Sequence, residues 1–78
     1  MTPEQIASLA SSLKDNEAFQ LALDKVRLSA VDALILSQPS KTEDIIRYQS
    51  TVAVVDDIRA NLEQFIRSGQ PKKPSGIA

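Results

Sequence analysis

No glycine occurs before position 69, and the chain has two glycines in all. A stretch that long without the residue that tight turns and bulges most often need is suited to helices joined by short links. Thr2-Pro3 with Gln5 reads as an N-cap, a first-turn proline and a capping-box partner. Ile6, Leu9, Ala10 and Leu13 follow at helical spacing, which predicts a short helix over about 3–14. Asp15 and Asn16 break it, and either can cap the next helix.

The second helix is expected over about 17–37, stopped by Ser37-Gln38-Pro39, since a residue before proline resists helical geometry. Ser40-Lys41-Thr42-Glu43 reads as a capping box with Ser40 as cap, opening a third helix over about 41–68. Glu43–Arg47 and Glu63–Arg67 are favourable i,i+4 pairs, and Gly69 is a natural C′ residue. The fold class is therefore all-α: a long antiparallel helical hairpin with a short N-terminal helix. Residues 1–68 form the helical domain. Residues 69–78, Gly-Gln-Pro-Lys-Lys-Pro-Ser-Gly-Ile-Ala, read as a polar tail, disordered unless bound.

A chain of 78 residues without Cys or His has neither a disulfide nor a His/Cys metal site to compensate for a modest core. Helix packing, oligomerisation or both must supply the stability. On the second helix, a main stripe runs through Phe19, Ala22, Leu23, Val26, Ala30, Ala33 and Leu34. Leu21, Leu28 and Ile35, seven residues apart, form a second seam nearly opposite. Either the first helix covers that seam or it meets another chain, and the second reading is preferred because the first helix has few apolar positions. The third helix carries Ile45, Tyr48, Val52, Val55, Leu62 and Ile66, widened by Ile58, Phe65 and Val54. Arg59 stands inside this arc. It either reaches the rim along its stem or forms an inter-subunit ion pair with Asp24, Asp32 or Asp56.

Enzymatic chemistry is not expected. Acid–base, nucleophilic and metal catalysis draw mostly on His, Cys or clustered carboxylates. The doublets Glu43-Asp44 and Asp56-Asp57 diverge by about 100° on a helix, so they read as solvated faces. No glycine-rich phosphate loop is present, and Tyr48 reads as core or interface. No cofactor, metal or small-molecule substrate is implied. With nine basic and ten acidic residues, the net charge of −1 lacks the basic excess of a phosphate-binding domain. The acidic first turn of the third helix argues against a helix-turn-helix reader. No apolar run is long enough to span a membrane, and the first residues lack the features of a signal peptide, so a cytoplasmic site of synthesis is expected, with export by a leaderless route left open. The expected partners are proteins: other copies of the chain and a larger structural partner. Lys72 and Lys73 in the tail would meet an acidic surface on that partner, with Ile77 as an apolar anchor.

Two resemblances bear on the role. The stretches Glu-Ala-Phe-Gln-Leu-Ala-Leu-Asp-Lys-Val-Arg (17–27) and Glu-Asp-Ile-Ile-Arg-Tyr-Gln-Ser-Thr-Val-Ala-Val-Val-Asp-Asp-Ile-Arg-Ala-Asn-Leu (43–62) flank the proline turn. From Asn16 to Gly69 the chain resembles small helical proteins that tailed bacteriophages and prophages encode among virion-assembly genes. That resemblance implies a virion-associated structural or assembly accessory protein, acting at a capsid, portal or connector, and assigns no residue a role. The turn at Pro39-Ser40, Leu21–Lys25 and Tyr48–Ser50 are also similar to type III secretion needle subunits, which are helical hairpins that assemble into filaments. Those subunits end in an apolar helix, whereas this chain ends in Pro-Lys-Lys-Pro-Ser-Gly-Ile-Ala. A small phage inhibitor of a host protein is the remaining alternative.

Overall fold

The computed structural model describes residues 1–70, and within them the chain forms three α-helices and no strand. They are α1 (Pro3–Lys14), α2 (Glu17–Leu36) and α3 (Thr42–Ser68). Lys72, Lys73 and Ile77 lie outside the described residues.

Two of the three N-termini form as their local sequences direct. At α1 the Thr2 hydroxyl accepts the Gln5 N–H at 3.1 Å, and the Gln5 side chain accepts the Thr2 N–H at 2.9 Å. This reciprocal pair satisfies two donors that a helix start otherwise leaves open. At α2 the Asn16 side chain accepts the Phe19 N–H at 2.9 Å. The start of α3 departs from the expectation. Lys41, not Ser40, is the N-cap, without a side-chain cap bond. The Lys41 N–H closes a turn onto the Gln38 carbonyl at 2.9 Å, which leaves Ser40 inside the turn. The second helix also stops one residue early, because Ser37 is extended at φ −71°, ψ 139°.

Along α3, contacts with the rest of the chain run in order. Pro3 and Ala7 approach Gly69, and Lys14 bonds Glu63 at 2.8 Å. Gln20 and Asp24 hold Arg59, and Arg27 meets Asp56 at 2.9 Å. Ala30 and Ser29 share a groove with Tyr48 and Thr51. As residue numbers rise through α1 and α2, their partners on α3 fall. α1 therefore continues the line of α2 along α3 and leaves the outer side of α2 uncovered. The body measures 57 × 29 × 23 Å, with a radius of gyration of 17.4 Å. A compact domain of this length would have about 11.5 Å.

The buried core is correspondingly thin: Ala10, Leu23, Ala30, Val55 and Leu62. The inward line of α2 runs through Gln20, Leu23, Arg27, Ala30, Leu34 and Ser37, all buried or half-buried. Most of the apolar stripe read in the sequence is enclosed, with Phe19, Leu23, Ala30, Ala33 and Leu34 buried or half-buried, but the line is rotated toward Gln20 and Arg27 and leaves Ala22 and Val26 exposed. An apolar template skips Gln20 and Arg27, yet both point at α3, and Arg27 bonds it. On α1, Ala7 and Ala10 face inward while Leu9 and Leu13 stay exposed. Small side chains at the contact let α1 lie close to α3.

Gly69 shows how close. Its backbone is ordinary, at φ −90° and ψ −3°, so the left-handed cap expected from its position is not what requires glycine. A Cβ there would overlap the Ala7 Cβ and stand 2.6 Å from the Pro3 carbonyl oxygen. The missing side chain is needed for helix packing. Gly69→Ala should therefore force α1 away from α3 and cost about 1–3 kcal/mol, the usual range for overpacking. Thermal unfolding of the two proteins measures it. An unchanged or raised Tm would show that α1 does not hold this close approach.

Candidate interaction surfaces

The two flanks of the rod differ in chemistry. One is polar and held by cross-helix bonds. Arg27 donates to Asp56 through Nε at 2.9 Å and Nη2 at 3.4 Å. Arg59 donates to the Gln20 side chain at 3.3 Å, to the Gln20 carbonyl at 3.5 Å and to Asp24. Farther along, Lys14 and Glu63 complete the row. Arg59 is thus bound within its own chain, by one of the three carboxylates weighed for it in an inter-subunit pair. Its stem occupies an apolar position while its head reaches polar partners on α2. Two expected pairs along α3 take other partners: Arg47 meets Asp44 at 3.5 Å, and Glu63 goes to Lys14 across helices.

These pairs are open to solvent, and their effect on titration follows from the bonds. The Asp56 carboxyl is held below the usual value, first by its hydrogen bond from Arg27, which outweighs the opposing effect of desolvation, with the charges of Arg27 and Arg59 adding to it. Lys14 is raised, first by its hydrogen bond to Glu63 and then by that residue's charge. Exposed pairs of this kind contribute little each. A row of them discriminates against slipped registers, because sliding one helix past the other breaks all of them together.

The opposite flank is apolar. Val26 of α2 lines a groove with Thr51, Val54, Val55 and Ile58 of α3, closed at the bottom by Leu23. Val54 keeps 55% of its surface, Val26 48% and Ile58 37%. Phe65 extends the α3 line by two turns, and Leu9 and Leu13 project from α1 on the side away from Lys14. Val54, Ile58 and Phe65 were read in the sequence as a widening of the core arc, and here they are exposed. Only their angular offset from the line Val55–Arg59–Leu62–Ile66 distinguishes them.

Leu21, Leu28 and Ile35 occupy a third position, on the outer side of α2. They retain 66, 62 and 75% of their surface, so α1 does not cover them. They fall on one side of α2 by their seven-residue spacing, and Arg59 lies away from them, on the α3-facing side. Leu36 and Ile46 add exposed apolar surface near the turn. Arg47 lies over the Tyr48 ring at 5.3 Å from its centroid, a cation–π contact at the same end. Among the described residues, no cluster of three acidic side chains could hold a metal, and no helix is long and apolar enough to cross a membrane.

Because Asp56 is depressed in the folded chain, its contribution is present above its unfolded value and is lost as the pH falls through the folded one. Its carboxyl, followed by NMR, should titrate below the ordinary aspartate range, and Arg27→Ala should return it upward. An ordinary titration in the parent protein would mean that the Arg27 bond does not persist in solution.

Comparison with family models, with curated proteins and with solved structures returns no match to this chain.

Proposed function

We propose that the chain is a non-enzymatic, protein-binding assembly protein that acts as an oligomer, built as an antiparallel hairpin in which α1 and α2 form one arm and α3 the other. The descending order of contacts along α3 supports the hairpin. The observation that carries the functional reading is the balance of apolar surface. Three large apolar residues, Leu23, Val55 and Leu62, are buried, while Leu21, Val26, Leu28, Ile35, Leu36, Ile46, Val54 and Phe65 are among those left exposed. A monomer that worked alone in water would gain nothing from this arrangement, and contiguous apolar patches generally mark association sites.

The setting proposed is a tailed phage particle, with the protein attached to a capsid, portal or connector. That part rests on the resemblance of segments 17–27 and 43–62. Leu21, Leu28 and Ile35 would meet a neighbouring copy or the larger partner. Lys72, Lys73 and Ile77 would dock the end of the chain on that partner. A second reading, a self-assembling filament subunit, is favoured by apolar side chains on two different sides of α2, since growth without closure needs two distinct contact faces.

Leu28→Glu tests the seam. Leu28 is 62% exposed, so the substitution should change monomer stability by no more than about 0.5 kcal/mol. Helicity by circular dichroism should be kept while light scattering shows a smaller assembly, or while pull-down of the partner fails. Loss of helicity would place Leu28 in the monomer core. Unchanged assembly and binding would remove the seam from the proposal. Truncation after Gly69 tests the tail in the same assays: it should leave Tm unchanged and weaken partner binding most at low salt, where charge attraction is least screened.

A further inference from the structure

The apolar flank, lined by Val26, Val54 and Ile58 and extended by Phe65, Leu9 and Leu13, makes no use of the Leu21/Leu28/Ile35 seam. Area, architecture and charge together define its occupant.

Area comes first. The chain exposes 6172 Å², whereas a compact monomer of 8.5 kDa would expose about 4,700 Å². Counting residues 71–78 as fully extended, at about 1,100 Å², and setting the rest against a compact body of 70 residues, about 4,300 Å², a surplus of about 700 Å² would remain. The two bounds, about 700 and 1,500 Å², bracket the roughly 800 Å² that each partner contributes to a standard protein interface. The surplus, shared between this flank and the outer side of α2, is of the order of one such interface.

Architecture says what shape would cover it. Two helices in a plane bury one line of side chains each, and the flank of that plane stays open. Here Leu23 and Val55, at the bottom of the groove, are the innermost residues on that side, with Val26, Val54 and Ile58 above them. A second pair of helices laid on this flank would complete a four-helix cross-section with an enclosed core. A second copy supplies that pair with matching length and matching apolar content.

Charge selects the orientation. Arg27, Asp56, Asp24, Arg59, Lys14 and Glu63 all bond across the other flank. The charged residues that line the apolar flank are Lys25 and Arg47, both toward the turn end, with Asp44 3.5 Å from Arg47 offsetting part of that charge. Two copies laid in the same direction would bring four cations together. Laid head to tail about a two-fold axis, they keep the cationic ends at opposite poles.

We infer that the chain forms a two-fold, head-to-tail homodimer through the flank of Val26, Val54, Ile58 and Phe65. The inference deepens the oligomer reading: the dimer is the assembling unit, and the Leu21/Leu28/Ile35 seam remains on its outside for further contacts.

The experiment uses the full chain and light scattering coupled to gel filtration, with circular dichroism on the same samples. The parent protein at about 100 μM should run as a dimer or a multiple of it. Val54→Glu places an uncompensated charge in the groove, should weaken dimerisation at least a hundredfold, and should give a helical monomer. Leu28→Glu should stop at the dimer. Because the chain has no cysteine, Val54→Cys, Ile58→Cys and Asn61→Cys can each be oxidised. At least one should yield a helical, disulfide-linked dimer, whereas Asp57→Cys and Leu28→Cys should not. A monomeric parent would overturn the dimer and leave this flank to a different protein. A Val54→Glu protein that keeps its mass, or dimers linked through Leu28→Cys but through none of the groove positions, would also overturn it while preserving the broader oligomer reading. Should Val54→Glu unfold, the cysteine series decides between the same two outcomes.

Discussion

A rod two helices thick has no interior in the ordinary sense. Each helix can bury one line of side chains against the other, and everything else about this chain follows from how little that line encloses. α3 needs a partner along all of its 27 residues. Neither α1 nor α2 is long enough to provide it alone, so the two succeed one another across the break at Asp15 and Asn16. The first helix is consumed in extending the contact and is not free to fold over the outside of α2. Exposed apolar residues on two sides of α2 are a geometric result of that use of α1.

With so thin a core, polar contacts decide alignment. Leu23, Ala30, Val55 and Leu62 would pack nearly as well if one helix slid by a turn. Arg27 with Asp56, and Arg59 with Gln20 and Asp24, would not. A polar residue at a seam position commonly fixes register at some cost in stability, and Arg59 suits that description. Arginine fits the position because its long stem is apolar and its flat head can bond several acceptors at once.

The helix ends were legible in the sequence to within a residue. Capping is local: Thr2 with Gln5 and Asn16 with Phe19 need no knowledge of the rest of the chain. The start of α3 was not legible in the same way, because a turn from Gln38 to Lys41 competes for the same residues and leaves Ser40 inside it. The rotation of α2 was hidden for a different reason. Its phase is turned toward Gln20 and Arg27, whose partners lie on another helix, so apolar periodicity points about 50° to the side, half a residue step. Gly69 was read for its backbone freedom, when the space it leaves for Ala7 and Pro3 is what matters. The Leu21/Leu28/Ile35 seam could be seen, since seven-residue spacing is visible in the chain itself. The exposure of Val54, Ile58 and Phe65 depends on where the neighbouring helix ends, which spacing alone does not specify.

The approach of Pro3 and Ala7 to Gly69 gives the molecule two unlike poles. In the proposed hairpin both ends of the helical body meet at one pole, and the turn through Pro39 forms the other. Whatever precedes Pro3 or follows Gln70 is rooted at the same pole, more than half the length of the body from the turn. An attachment carried by either end would be presented beside the other, and the far pole would be left as a blunt tip of Leu36, Ser40 and Lys41. Such a body can be tethered at one end and still offer its whole length for side-by-side packing. In an array of these rods, all tethers could emerge on a single surface only where neighbours point the same way; a head-to-tail pair would place one tether on each side of the layer.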